Sequence, residues 1–97
     1  MAISQRIGSV EMSFQITGRG PVVVPNEPWE HDPRIGDLIQ LLLPDGRCFE
    51  SRVRGIEIAL WRGEHKPPLE RRTLLIDPLP DFFDHVPIGT EVLLVSE

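Results

Sequence analysis

Proline and glycine punctuate this chain from one end to the other, ten prolines and eight glycines spread through 97 residues. Proline removes a backbone N–H and fixes φ, while glycine opens positive φ, so the segments between them are short and end in turns. No window sustains a helical period. The apolar segments alternate instead: Val10, Met12, Phe14 and Ile16 fall on one side, with Glu11, Ser13, Gln15 and Thr17 on the other. A period of two predicts a half-buried strand. At 40% hydrophobic and 26% charged residues the composition is that of a folding globular chain, and the length predicts a single domain over 1–97. Apolar runs of a few residues span no bilayer as a helix, residues 1–12 carry no signal-peptide pattern, and one cysteine, Cys48, forms no internal disulfide. The expectation is a cytoplasmic protein without a membrane segment.

Further strands follow the same punctuation. Val22–Val24 is a β-branched run closed by Pro25, and the proline-rich stretch 26–34 is a loop. Leu38–Leu43 leads into Pro44-Asp45-Gly46, whose order predicts a tight turn and a hairpin. The return strand carries Phe49 and Val53 on one face and Glu50, Arg52 and Arg54 on the other, until Gly55 shifts the phase to Ile56, Ile58 and Leu60. A glycine at a phase shift predicts a β-bulge. Residues 61–72 and 77–87 read as loops, with strands at 73–76 and 90–95. Ile35-Gly36-Asp37 and Ile88-Gly89-Thr90 echo each other before their strands, each suited to a glycine at positive φ. About six antiparallel strands without helices bury one apolar face by curling into a small barrel or a two-sheet sandwich, and since closure also removes exposed edges the predicted class is all-β, a small closed barrel.

The segment Ser13-Phe14-Gln15-Ile16-Thr17-Gly18-Arg19-Gly20-Pro21-Val22-Val23 resembles the opening of the second domain of elongation factor Tu and related translational GTPases, where a strand runs into Gly-Arg-Gly and then Thr-Val-Val. Ile35-Gly36-Asp37 resembles that family's Val-Gly-Asp/Glu turn, Arg54-Gly55-Ile56-Glu57 its Thr-Gly-Val-Glu, and Ile88-Gly89-Thr90-Glu91-Val92 its late Ala-Gly-Asp-Asn-Val segment. The resemblance runs from about Ser13 to Val95 and implies a translation-protein β-barrel, here as a stand-alone domain. In that family the barrel sits beside a GTPase domain and helps to hold the acceptor end of aminoacyl-tRNA. This chain has no Gly-x-x-x-x-Gly-Lys-Ser/Thr, which excludes GTP hydrolysis. Its 25–33 stretch is acidic and proline-rich where the family has a compact turn with basic residues, so no functional residue is carried across.

Charge is unevenly placed. The chain carries 15 acids against 10 Lys and Arg, for a net charge of −5, the wrong sign for a protein whose main task is gripping a phosphate backbone. Within it, 47–72 holds Arg47, Arg52, Arg54, Arg62, Lys66, Arg71 and Arg72, whereas 73–97 holds no base. The basic stripe reads either as an RNA-contacting patch or as a solvated face paired with Glu50, Glu57, Glu64 and Glu70. Glu30-His31-Asp32 and Asp81, Asp84 and His85 set histidine beside carboxylate, a ligand set for iron or zinc, without a spacing that defines a site. Cys48 has no nucleophile signature around it. Trp29, Trp61, Phe82 and Phe83 fall in predicted loops, as barrel plugs or as anchors for another protein. The predicted function is a non-catalytic, cofactor-free binding module docking a protein partner through its loops, with Trp29, Trp61, Phe82, Phe83, Arg52 and Arg54 as contacts. RNA or tRNA binding through the 47–72 stripe is the alternative, and a metal-dependent enzyme the remote one.

Overall fold

The computed structural model describes residues 3–61, 69–79 and 86–96. They form six strands: β1 (Ile3–Ile16), β2 (Gly20–Pro25), β3 (Leu38–Leu42), β4 (Cys48–Trp61), β5 (Leu69–Ile76) and β6 (Glu91–Ser96). All pairings are antiparallel and the ring closes in the order β1-β2-β5-β4-β3-β6. The all-β barrel expected from the alternation is therefore the observed fold. Among the described residues no helix is long and apolar enough to cross a membrane.

Several elements run further than the pattern suggests. β1 begins at Ile3 rather than Val10, because β6 pairs with it from Ile3 to Ser9 before β2 takes over from Val10 to Ile16. Of the stretch 61–72, expected as a loop, the ends are strand, since β4 runs to Trp61 and β5 starts at Leu69 with Trp61 opposite Leu69, and 62–68 lie outside the described residues. The β-bulge expected at Gly55 is present, as a register shift between Val53 and Gly55. An equivalent shift lies between Val10 and Met12.

These matching bulges belong to a wider correspondence. The ring maps onto itself when β1, β2 and β3 are exchanged with β4, β5 and β6, and the hydrogen bonds repeat with it. Gly89 N–H donates to the Val10 carbonyl at 2.9 Å, and Val10 N–H donates to the Thr90 carbonyl at 2.8 Å. In the other half Gly36 N–H donates to the Val53 carbonyl at 2.7 Å, and Val53 N–H donates to the Asp37 carbonyl at 3.0 Å. After β2, Asn26 N–H reaches the Ser9 carbonyl, and after β5, Asp77 N–H reaches that of Arg52. Val23 faces Leu74 where the halves meet. Gly36 and Gly89 have φ of 96° and 93°, the left-handed region that only glycine enters cheaply. The short echo between their segments is the sequence trace of an approximate two-fold axis.

The core gathers Ile7, Val10, Val23, Ile39, Leu41, Leu43, Val53, Leu74, Ile76, Val86 and Val92 inside the ring. Each strand contributes to one buried side, which is what closure of an alternating sheet requires. Trp29 joins that cluster from the loop after β2. Its indole N–H donates to the Pro25 carbonyl at 3.0 Å, so its polar atom is satisfied where it is buried. Trp29 thus plugs the barrel, which corrects the expectation that it stands out as a partner anchor. The loop around it is tied down as well, by Glu30 N–H to the Ile7 carbonyl and by Arg6 and Arg72 pairing with Glu30, Glu27 and Asp32.

Candidate docking surface

Beyond its bulge, β1 presents Glu11, Met12, Ser13 and Phe14 beside Pro87 and Ile88 of the turn before β6, and these six line an open groove of about 740 Å³. The bulge produces it. Ile7 and Val10 point into the core, and the extra residue turns the following apolar positions away from it. Met12 is left 38% exposed and Ile88 71%, and Phe14 is half-buried against them rather than enclosed. The Ser13 hydroxyl donates to the Val86 carbonyl and holds the two walls together.

The approximate two-fold supplies an internal comparison. Glu11, Met12, Ser13 and Phe14 correspond to Arg54, Gly55, Ile56 and Glu57, and Pro87-Ile88 to Arg34-Ile35. On that second side Glu57 pairs with Arg19 of the β1–β2 turn and Arg54 with Asp77 at 3.6 Å. One backbone framework therefore carries Met12 and Phe14 in one half where the other has Gly55 and the ion-paired Glu57, with an exposed isoleucine, Ile88 or Ile35, in both. Barrel closure needs neither, so the difference belongs to the side chains alone.

The basic stripe is interleaved with carboxylates. Arg47 pairs with Asp45 at 2.7 Å, Arg71 with Glu11 at 3.1 Å, and Arg72 with Glu27 and Asp32. Asp45 is a near neighbour of Arg47 in the hairpin turn, whereas Glu11 on Arg71, and Glu27 and Asp32 on Arg72, come from β1 and the loop after β2, brought close by the ring. Arg52 and Arg54 are both exposed on β4, and the Arg52 guanidinium donates to the Gly36 carbonyl at 3.0 Å. The Arg72 guanidinium also lies 4.0 Å over the Trp29 ring, a cation–π contact at the barrel end.

These contacts set the titration of the surface groups. The Arg72 backbone N–H, and then its side chain, hold the Glu27 carboxyl below the usual carboxylate range. Arg19 does the same to Glu57 through a side-chain hydrogen bond, and the Arg47 backbone N–H to Asp45. The partners respond in the opposite sense: the hydrogen bonds that Arg6 donates to Glu30 and Glu91 raise Arg6, and the one that Arg19 donates to Glu57 raises Arg19.

His31 Nδ1 lies 3.0 Å from the Arg6 carbonyl, while Glu30 and Asp32 are taken up by Arg6 and Arg72. Among the described residues no three His, Cys, Asp or Glu side chains come together as metal ligands. Asp81, Phe82, Phe83, Asp84 and His85 lie outside the described residues, and of Trp61 the backbone alone, at the end of β4, is described. Cys48 is an exposed free cysteine. The Met12–Phe14–Ile88 surface was missed by reading alternation as burial. The signal available was Ile88 itself, a large apolar residue before a turn glycine, where the chain reverses and side chains face outward.

Comparison with protein-family models, with characterised proteins and with solved structures finds no match.

Proposed function

We propose that this barrel is a non-catalytic module that docks a protein partner. The observation that carries the reading is the apolar groove of Met12, Phe14, Pro87 and Ile88, whose Met12 and Phe14 have only Gly55 and the ion-paired Glu57 as counterparts in the other half of the two-fold framework. Apolar side chains left in water on a surface the fold does not require cost solubility, and a protein partner's apolar residues cover them. The arginines of 47–72 favour protein over RNA, since Arg47, Arg54, Arg71 and Arg72 already share their charge with carboxylates and a phosphate strand would have to displace these. The resemblance to the second domain of elongation factor Tu supports a barrel acting as a binding platform, in a cytoplasmic setting and without a cofactor of its own.

The test is capture from the native host with the tagged chain. A stoichiometric protein companion is expected with the parent, and its loss with Ile88→Asp while thermal unfolding stays unchanged, because Ile88 is 71% exposed and contributes little to the core. Recovery of the bare chain, or a low-salt tRNA shift weakened by Arg52→Ala with Arg54→Ala, overturns the reading.

A further inference from the structure

We propose that the outer edge of β4 takes up an extended, acidic segment of a partner protein by strand addition. The inference rests on the docking reading above but concerns a separate surface. β4 pairs with β3 over Cys48–Arg52 and with β5 over Val53–Trp61. Past Val53, one edge of β4 has no strand neighbour among the described residues.

One hydrogen bond shows which backbone groups face that edge. Arg72 N–H donates to Glu27 Oε1 at 3.1 Å, on the side of β5 turned away from β4. In an antiparallel ladder a residue sends its N–H and C=O the same way, and residues directly opposite are either bonded to each other or both turned outward. Ile58 stands opposite Arg72. Its N–H and C=O therefore point away from β5, and those of Ile56, two residues earlier, point with them. Neither residue has a hydrogen bond outside the ladder among the described residues. Glu27 caps the edge of β5, and in the other half the Ser13 hydroxyl, at the counterpart of Ile56, is tied to Val86. Among the described residues the β4 edge has no such cover, and Ile58 beside it is 66% exposed. A bare edge with an apolar side chain is a template for one more strand.

The surrounding charge selects the occupant. Arg52 gives its guanidinium to a carbonyl and not to a carboxylate, and the Arg34 side chain has no ion-pair partner among the described residues. Arg34 and the 69% exposed Ile35 flank β4 as Pro87 and Ile88 flank β1. The carboxylate on the edge stretch itself, Glu57, is neutralised by Arg19. The Arg34 and Arg52 guanidiniums, set among exposed isoleucines, offer charge partners to an extended segment alternating acidic and aliphatic residues and none to a basic one.

The probe is the synthetic peptide acetyl-Glu-Val-Asp-Val-Glu-Ile-amide, with a twin carrying lysine at each acidic position. With the full chain, the acidic peptide is expected to protect the Ile56 and Ile58 amides from hydrogen exchange, and the lysine twin to bind at least about tenfold more weakly. Ile58→Pro deletes an outward N–H and spares the β4–β5 ladder, so it is expected to weaken binding about tenfold while circular dichroism keeps its parental form. Arg34→Glu, on an exposed loop side chain, is expected to weaken binding to a similar degree and to flatten its salt dependence. Equal binding of the two peptides, unchanged affinity of both variants, or protection confined to β1 overturns the proposal. So does edge-to-edge dimerisation lost in Ile58→Pro when the peptide does not bind, which assigns the edge to a second copy. Failure of the acidic peptide while Ile88→Asp still releases the native companion sinks the edge inference and leaves the docking reading standing.

Discussion

Trp29 and Phe14 exchange the roles that their neighbourhoods suggest. Phe14 sits in the most regular alternation of the chain and reads as core, yet it is half-buried beside Met12 and Ile88. Trp29 sits among prolines and acids and reads as loop, yet it is 8% exposed with its indole N–H bonded. The bulge at Val10/Met12 explains the first and the return of the 26–33 loop across the barrel end explains the second. Trp29→Ala is therefore expected to cost about 3–5 kcal/mol in urea unfolding. Phe14→Ala, removing a ring already in contact with water, is expected to cost about 1–2 kcal/mol. Equal losses would show that Phe14 is enclosed after all.

At the scale of the element, the barrel is made from a repeated device: a long strand bent at a bulge, whose last unbulged residue is clasped by a glycine turn. Val10 is clasped by Gly89 and Thr90, and Val53 by Gly36 and Asp37. A Cβ at Gly36 would meet nothing within 4 Å, and one at Gly89 would meet Pro44 Cγ at 3.6 Å, an ordinary contact. The cost of alanine at either position is then the backbone's alone, about 1–2 kcal/mol, and denaturant titration is expected to give similar values for Gly36→Ala and Gly89→Ala. Gly55 has no positive φ, and a Cβ there would lie 3.7 Å from Leu75 Cβ. Gly55→Ala is accordingly expected to fall within about 0.5 kcal/mol of the parent, although its glycine marks the bulge in the sequence just as clearly.

For the whole molecule, ion pairs lash loop to barrel where few apolar residues are left to do so. Glu27 is the clearest case, joining the loop after β2 to β5 through the backbone N–H and the guanidinium of Arg72. Its carboxyl titrates lower folded than unfolded, so its stabilising contribution is complete above the unfolded value of about 4.3 and fades as pH falls through the folded one. Glu27→Gln keeps an acceptor oxygen and loses the charge. Its melting temperature is expected to lie below the parent's at pH 7, with the difference closing below about pH 4. A difference undiminished at about pH 3 would assign the effect to packing. The β4–β5 arm, paired out to Trp61 and Leu69, contributes to extents of 45 × 29 × 25 Å and breaks the two-fold, since β1 and β2 part at Ile16 and Gly20.

Strand content, the turn at Pro44-Asp45-Gly46, the bulge at Gly55 and the two glycine turns were legible along the chain, because each depends on contacts between near neighbours and on the φ that proline and glycine permit. One apolar side per strand allowed a barrel or a two-sheet sandwich, and the barrel was favoured because closure leaves no edges; the closed ring is what the structure has. What tertiary structure alone decided was facing. A one-residue bulge moves a whole run of side chains from the interior to the surface, and the partners of Arg54, Arg71 and Arg72 come from strands and loops distant in sequence. The groove at Met12 and Ile88 and the bare edge at Ile58 exist because segments far apart along the chain meet, or fail to meet, in the ring.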